Sequence, residues 1–301
     1  MSTPPLVVAV VGATATGKSD LGLSLAQSLG GEIVNADSMQ FYRGMDIGTA
    51  KTPLGQRAGI PHHQLDILDV TDDASVAAYQ ASARADVSRI ISTGAVPVIV
   101  GGSGLYVRAL LDDMAFPQTD PGLRAELEQR LEREGPGILH DELALADPQA
   151  AARIDRRNGR RVVRALEVVR LTGKPFAAAL PTQRNPVVPA IQIAVDLPRP
   201  ELNERIARRA TGMFAAGLVA ETEALVAAGL DRGVTARRAV GYAQARAVLA
   251  GELDVPEAIA ATATATRQLA RRQLTWFRRD DRIHWLPPGP ELLRRARRLL
   301  P

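Results

Sequence analysis

Gly12-Ala-Thr-Ala-Thr-Gly17-Lys18-Ser19 follows the apolar run Leu6–Val11 and opens a segment of helical periodicity, Lys18–Leu29, that stops at Gly30-Gly31. The spelling is G-x4-G-K-[ST], and its place between a buried strand and a helix is the one that a phosphate-binding loop needs. Glycines let the backbone turn tightly. The N–H groups of Gly12, Ala13, Thr14, Ala15, Thr16 and Gly17 are then expected to point inward at phosphate oxygens. Lys18 adds a point charge, the helix N-terminus adds its dipole, and the Ser19 hydroxyl is expected to ligate Mg²⁺. Only three of the 37 basic residues are lysines, so a chance match to this pattern is rare. The loop predicts a grip on a di- or triphosphate.

Outward from the loop, Glu32–Ala36 reads as a second strand, Ala74–Thr93 as a helix and Pro97–Val100 as a third buried strand ending at Gly101-Gly102. Strands alternating with helices over short connections predict a parallel sheet covered by helices. Residues 37–73 hold Gly, Pro, His and Asp with little periodicity, and read as a functional loop region with short elements. The character changes at Phe116-Pro117. Pro121–Glu134, Gly137–Ala146, Pro148–Ile154 and Arg160–Thr172 are helical and charged, and Pro181, Pro186 and Pro189 mark the exit. Ala190–Val195 restores a β pattern, long helices follow from Pro200, and Ile283–Leu286 reads as a last strand. The expected fold is α/β, a P-loop NTPase-like parallel sheet flanked by helices. Its core is 1–115 with 190–301, interrupted by an all-α insertion at 116–189. The alanine–threonine stretch 258–266 has flanks that suggest helix rather than disorder.

Hydrophobic residues make up 46% of the chain, enough for a substantial core, and the absence of cysteine excludes disulfides and thiolate metal sites. The N-terminal apolar stretch is interrupted by glycine and is too short to span a bilayer, so a cytoplasmic protein without a membrane segment is expected. The net charge of +4 conceals a gradient: residues 1–150 carry 10 Lys+Arg against 19 Asp+Glu, and residues 151–301 carry 27 against 14. Two clusters, Arg153 to Lys174 and Arg267 to Arg298, hold most of the excess. Each alone reads as a solvated helix face. Two in one half of the chain favour a polyanionic partner, most simply nucleic acid.

A nucleotide hydrolase adds an acidic residue at a neighbouring strand end to hold Mg²⁺ beside the γ-phosphate. Val96–Val100 instead runs into Gly101-Gly102-Ser103-Gly104. The carboxylate that leaves a strand close behind the loop is Asp37, which suits a Mg²⁺ partner, a general base or a helix N-cap. C-terminal strand ends line the binding crevice of an open parallel sheet, so Asp37 and Ser103 are both expected to face the phosphate site.

These residues also carry a resemblance. Asp37-Ser38-Met39-Gln40, Tyr42-Arg43-Gly44-Met45-Asp46-Ile47-Gly48-Thr49-Ala50-Lys51, Pro61-His62-His63 and Asp66 resemble the tRNA dimethylallyltransferases of bacteria. So do Val100–Tyr106, Arg164–Val168, Arg238–Tyr242, Thr266–Gln273 and Thr275-Trp276, so that the likeness spans nearly the whole chain. The resemblance implies transfer of a dimethylallyl group from dimethylallyl diphosphate to the exocyclic N6 of the adenosine 3′-adjacent to the anticodon. The partners would be Mg²⁺ and a tRNA anticodon stem-loop, and the protein a monomer. In that family the phosphate loop holds the prenyl donor rather than fuelling hydrolysis, which agrees with the missing strand-end carboxylate.

Asp37 matches the family's catalytic aspartate, and Ser103 a position, usually threonine, that contacts the target nucleotide; a packing role for the Gly101–Gly104 turn is the alternative. Lys18, the loop N–H groups and Mg²⁺ near Ser19 would neutralise the leaving diphosphate, with Arg205 a candidate aid unless it only pairs with Glu201. Asp37, Ser38, Met39, Gln40, Ser103, Arg124, Arg160, Arg161, Arg164, Arg238, Gly241 and Tyr242 match segments that touch tRNA. The chain departs from its relatives at Arg160 and Ala243, where they often carry glutamine and a basic residue. His62 and His63 lack metal-ligand spacing and read as structural or pocket-lining, and Trp276 and Trp285 read as core. The competing readings are a P-loop small-metabolite kinase using ATP, which leaves the arginine-rich insertion unexplained, and an adenylate isopentenyltransferase, which needs no such basic surface. A non-catalytic RNA-binding module explains the charge but not the phosphate loop.

Overall fold

The structure, a computed structural model, describes residues 5–117, 119–176 and 185–301. In chain order the elements are β1 (Val8–Val11), α1 (Lys18–Leu29), β2 (Gly31–Asn35), β3 (His62–His63), α2 (Val76–Ser92), β4 (Val96–Gly101) and α3 (Gly104–Leu111). Next come α4 (Pro121–Ala146), α5 (Pro148–Arg153) and α6 (Gly159–Thr172). The rest is β5 (Ile191–Val195), α7 (Arg199–Ala215), α8 (Leu218–Ala227), α9 (Tyr242–Leu249), α10 (Val255–Phe277), β6 (Ile283–Leu286) and α11 (Leu292–Arg297). The 258–266 stretch lies inside α10, whose start is fixed by a reciprocal cap between Asp254 and Glu257.

Among the described residues six strands form one sheet in the order β3-β2-β4-β1-β5-β6, parallel throughout. Strand β1 is apolar at every position because both of its faces are covered. Ala9, Val11, Val34 and Ile99 meet Tyr79, Ala83, Val87 and Ile90 of α2 on one face. Val8, Val10, Ile33, Val98 and Val100 meet Leu21, Leu25 and Ala26 of α1 on the other. Each of the larger side chains contributes about 1.5–3 kcal/mol by burial, which holds the strand ends that carry the site loops. The order matters for function. β4 lies between β2 and β1, so the turn after β4 emerges between the loops that follow β1 and β2.

The two-residue edge strand β3 was not foreseen, and two residues carry no readable periodicity. The chain divides into two compact units, one of Met1–Leu111 with Val187–Pro301, the other of Asp112–Pro186. The first unit resumes where it does because the Leu111 carbonyl accepts from the N–H groups of Val187 and Val188, at 2.8 and 3.0 Å. In the second unit α4 is broken at Gly135, with φ of 79° ahead of Pro136, so its two halves follow the two segments expected from sequence. Leu127, Leu139, Leu143, Val162 and Leu166 form its core. Pro181, expected to mark the exit from the insertion, lies outside the described residues. Among the described residues no single helix is long and apolar enough to cross a membrane.

Candidate active site

Three loops at neighbouring strand ends line one cleft of about 310 Å³. The loop after β1 presents Thr14, Lys18 and Ser19, the segment after β2 presents Asp37 to Gln40, and the turn after β4 presents Gly101 and Ser103. Helix α7 closes one side with Ile206, Arg209, Ala210 and Met213, and α10 another with Thr262, Thr266, Leu269, Arg272 and Gln273.

The phosphate loop has the expected form. Gly12 and Gly17 hold φ of 129° and 90°, values open to glycine and strained for other residues. Ala15 also lies in the left-handed region, at φ 65°. Ala13 and Thr16 are buried, and the Thr16 hydroxyl donates to the Ala13 carbonyl at 2.9 Å, bracing the loop from within. Lys18 is 8% exposed, and its ammonium donates to the same carbonyl at 3.4 Å. Burial pulls its pKa down to about 8; the charge of Asp37 opposes that fall and Arg209 adds to it. Arg209 is likewise lowered by burial and supported by Asp37. Two sequestered cations thus share one carboxylate, which leaves this wall positive and suited to an anion.

Asp37 is held rigidly. Its N–H donates to Asn35 Oδ1 at 3.0 Å and its carbonyl accepts from Asn35 Nδ2 at 3.1 Å. Tyr79 fixes Asn35 in turn through the Asn35 carbonyl, at 3.0 Å. Asp37 Oδ1 accepts from the Met39 N–H at 3.2 Å and caps the short 3₁₀ turn Ser38–Phe41. The capping role is therefore real, and it occupies one carboxylate oxygen only: Oδ2 has no hydrogen-bond partner among the described residues. Ser103 Oγ accepts from the Ser38 N–H at 3.1 Å and lies 3.2 Å from Ser38 Oγ, joining the β4 turn to the Asp37 segment. Phe41, Tyr79 and Tyr106 pack with centroids 5.2–5.4 Å apart, pinning both segments to α2 and α3.

The Met45–Lys51 segment folds around fixed charges. Glu221 accepts from the N–H groups of Asp46, Ile47 and Gly48, and from the Tyr242 hydroxyl at 2.5 Å. Lys51, buried, pairs with Asp46 at 2.5 Å and Asp66 at 2.6 Å. A Cβ on Gly48 would stand 2.3 Å from the Tyr242 ring, so that contact requires glycine. The product of this packing is a fixed Thr49 carbonyl, which accepts from Gln40 Nε2 at 3.1 Å and Arg209 Nη2 at 3.3 Å.

Several expected site residues stand elsewhere. Arg205 pairs with Glu201 at 2.8 Å beside Gly17, and the α7 arginine that lines the cleft is Arg209, one turn on, donating to Thr14 Oγ1 at 3.2 Å. Sequence carried a signal for it: Arg209 lies four residues after Arg205, on a helix whose buried face is Leu202, Ile206, Ala210 and Phe214. Tyr242 is fully buried and its ring is not presented for stacking on a base. Gly241 starts α9, with its N–H donating to Gln244, whereas Arg238 does line the cleft. Trp276, expected in the core, is 42% exposed beside Gly104, because it follows Arg272 and Gln273 on the cleft-facing side of α10. Trp285 packs on the core with the Arg278 guanidinium over its ring at 5.3 Å. In the helical unit Arg124 and Arg164 both pair with Glu167, which is completely buried, while Arg160 and Arg161 are exposed. His63 bonds Glu32 at 2.7 Å, and His62 the Ile60 carbonyl at 2.8 Å.

Residues 40–280 match the family model for IPP transferase, and residues 5–64 that for isopentenyl transferase. The chain is 58% identical to the tRNA dimethylallyltransferase of Streptomyces griseus, over 96% of this chain and 92% of that protein. It is 59% identical to that of Nocardia farcinica, over 93% and 89%. Among solved structures, a tRNA isopentenylpyrophosphate transferase from Bacillus halodurans is 36% identical with a TM-score of 0.71, covering 98% of this chain and 95% of that one. One from Staphylococcus epidermidis is 32% identical with a TM-score of 0.70, covering 98% of each. A eukaryotic dimethylallyltransferase acting on tRNA, 24% identical over 98% of this chain and 78% of its own, shares the fold with a TM-score of 0.80. Together with a P-loop-like parallel sheet and a cleft that joins the phosphate loop to Asp37, these likenesses show that the chain belongs to the IPP transferase family of tRNA dimethylallyltransferases.

Proposed function

We propose that this chain is a prenyltransferase that moves the dimethylallyl group of dimethylallyl diphosphate to N6 of the adenosine 3′-adjacent to the anticodon of tRNA. One observation carries the reading: Lys18 and Arg209 on one wall face the Asp37 carboxylate across a single cleft. Ile206, Ala210, Met213 and Leu269 add an apolar surface suited to a five-carbon chain. The donor's diphosphate rests on the N–H groups of the phosphate loop, with Lys18 and Arg209 as counter-charges. The adenine amine enters from the Asp37 and Ser103 side, its base turned out of the stack to reach the cleft. As the bond from N6 to the first prenyl carbon forms, the bond from that carbon to the diphosphate oxygen breaks. The amine's proton passes to the open oxygen of Asp37, and the loop cations absorb the charge that develops on the diphosphate.

No cluster of three or more histidine or carboxylate groups forms a metal site among the described residues. Ser19, on the cleft beside Lys18, fits a cation completed by phosphate oxygens and water, the habit of Mg²⁺. Bound there, Mg²⁺ would neutralise the leaving diphosphate. For the tRNA we assign Arg160 and Arg161 of α6 and Arg271 and Arg272 of α10, all exposed cations. We place the enzyme in the cytoplasm as a monomer.

Incubation with dimethylallyl diphosphate, Mg²⁺ and unmodified tRNA carrying that adenosine tests the proposal. Prenylated adenosine on nuclease digestion is expected. Its absence, with ATP-dependent phosphorylation of a metabolite in its place, would overturn the reading.

A further inference from the structure

Gln273 makes two long-range bonds that no part of the chemistry above uses. Its Oε1 accepts from the Thr14 N–H at 2.9 Å, within the phosphate loop. Its Nε2 donates to the Gly102 carbonyl at 2.9 Å, one residue before Ser103. The partners lie 259 and 171 residues away in sequence, and one planar amide joins them. The approach is close enough that a Cβ on Gly102 would stand 2.6 Å from Nε2. Each end of the amide is used in its proper sense, so the orientation of the group is fixed by its partners.

We infer that Gln273 is a positioning residue that sets the donor's phosphate loop in register with the turn carrying Ser103. On the donor side the chain of contacts continues from Thr14 to Arg209, through the Thr14 hydroxyl at 3.2 Å. On the acceptor side it continues from Gly102 to Ser103, and from Ser103 to Ser38 at 3.1 Å, next to Asp37. The β1 and β4 strands are already paired, with Val11 opposite Gly101, but pairing ends there. Beyond it each loop has several soft dihedrals, and Gln273 ties the two. The tie is anchored on α10, which also carries the exposed Arg271 and Arg272. An anion held on those arginines therefore bears on the helix that sets the spacing between donor and amine.

The inference rests on the prenyl-transfer reading, and two variants separate the two. Gln273→Met keeps the length and removes both bonds. Gln273→Glu keeps the Thr14 bond, but when ionised it sets an anionic oxygen against the Gly102 carbonyl; when protonated it restores both bonds. Misplacement of reacting groups by about an ångström costs on the order of 10²-fold in rate. Gln273→Met should therefore lower kcat by about 10- to 100-fold, with donor and tRNA KM changed less than about threefold. Gln273→Glu, ionised at pH 7 and above, should likewise lower kcat there, and its ratio to wild type should rise as the pH falls from 7 to 5, toward the ordinary glutamate range. A role confined to packing moves the thermal midpoint but not that ratio.

Hydrogen exchange supplies a readout free of activity. In Gln273→Met, peptides covering 12–19 and 101–107 should both exchange faster, while those of β1 and β4 stay protected. Prenyl transfer by wild type with a kcat for Gln273→Met equal to it, or a Gln273→Glu ratio that does not rise between pH 7 and 5, overturns the inference and leaves the function standing. Unchanged exchange in both peptides overturns it even where wild type shows no transfer. A wild type without transfer whose two peptides loosen together sinks the function and keeps the tie.

Discussion

Raising the pH from 7 to 9 should weaken the binding of dimethylallyl diphosphate to the enzyme by about tenfold, and the cause is one proton on Lys18. Burial holds this lysine at a pKa of about 8, against an ordinary value of 10.5. About nine-tenths of it is charged at pH 7 and about one-tenth at pH 9. A diphosphate on the loop favours the charged form and raises the pKa in the complex. Affinity is therefore full below pH 8 and falls as the pH rises through it, by up to about a factor of ten per unit. Folding follows the opposite sign. The unfolded chain keeps this proton up to its ordinary pKa of 10.5, so between pH 8 and 10.5 it binds more protons than the ligand-free fold. Stability from this group accordingly rises with pH in that window. Titration calorimetry at fixed ionic strength and Mg²⁺ measures the affinity. Lys18→Arg carries a cation that does not titrate there, so it removes the slope and reports what donor and metal contribute by their own ionisation. Asp37 props the lysine's pKa up, so Asp37→Asn should move the break to lower pH. The reasoning fails if Lys18→Arg shows the same slope as wild type, or if Asp37→Asn moves the break upward.

Asp37→Ala should keep tRNA affinity in a filter-binding assay yet lose about 10²- to 10⁴-fold in kcat; weakened binding with normal chemistry at saturation would contradict its role as base. Glu221→Ala strips three backbone N–H groups and the Tyr242 hydroxyl of their acceptor, so thermal unfolding should show a loss of about 2 kcal/mol. Donor affinity should fall with it, through the Thr49 carbonyl and Arg209; an unchanged midpoint refutes the clamp. Raising salt should weaken tRNA binding steeply and donor binding far less, and the Arg160→Ala, Arg161→Ala double variant should reduce the logarithmic salt slope by about 2. Arg124→Ala should lower the melting temperature of the helical unit, because it leaves the buried Glu167 with one fewer cation; loss of tRNA affinity without loss of stability would restore Arg124 as a direct contact.

What the sequence made legible follows from how local each signal is. Helix α1 spans Lys18–Leu29 as read, since glycines in left-handed conformations stand at both of its ends. Strand β6 likewise matches Ile283–Leu286. Asp37 and Ser103 were placed on one cleft by a rule about strand ends, which needs only the strands and not their order. Tyr242 was misplaced because an aromatic ring at a helix start suits a core and a base equally well. Only the tertiary partners, Glu221 and Gly48, decide between them. Gln273 shares that limit, since what gives it its role is a bond across 259 residues.

The same contrast explains why the Met45–Lys51 segment reads as a signature while sending few of its side chains into the cleft. Gly48, Thr49 and Ala50 reach it, but Met45 is buried in the core and Lys51 is spent on Asp46 and Asp66. The segment's working product is a backbone oxygen, that of Thr49, which follows three N–H groups fixed by Glu221 and accepts from Gln40 and Arg209. Any residue at position 49 supplies that oxygen, so the constraint falls on the neighbours that fix where it lies. A loop of this kind constrains its sequence more tightly than the phosphate loop, where four of eight positions are open to any small residue. Phosphate binding is general chemistry; what this clamp adds is Arg209, bonded to both Thr14 and Thr49 with its charge supported by Asp37.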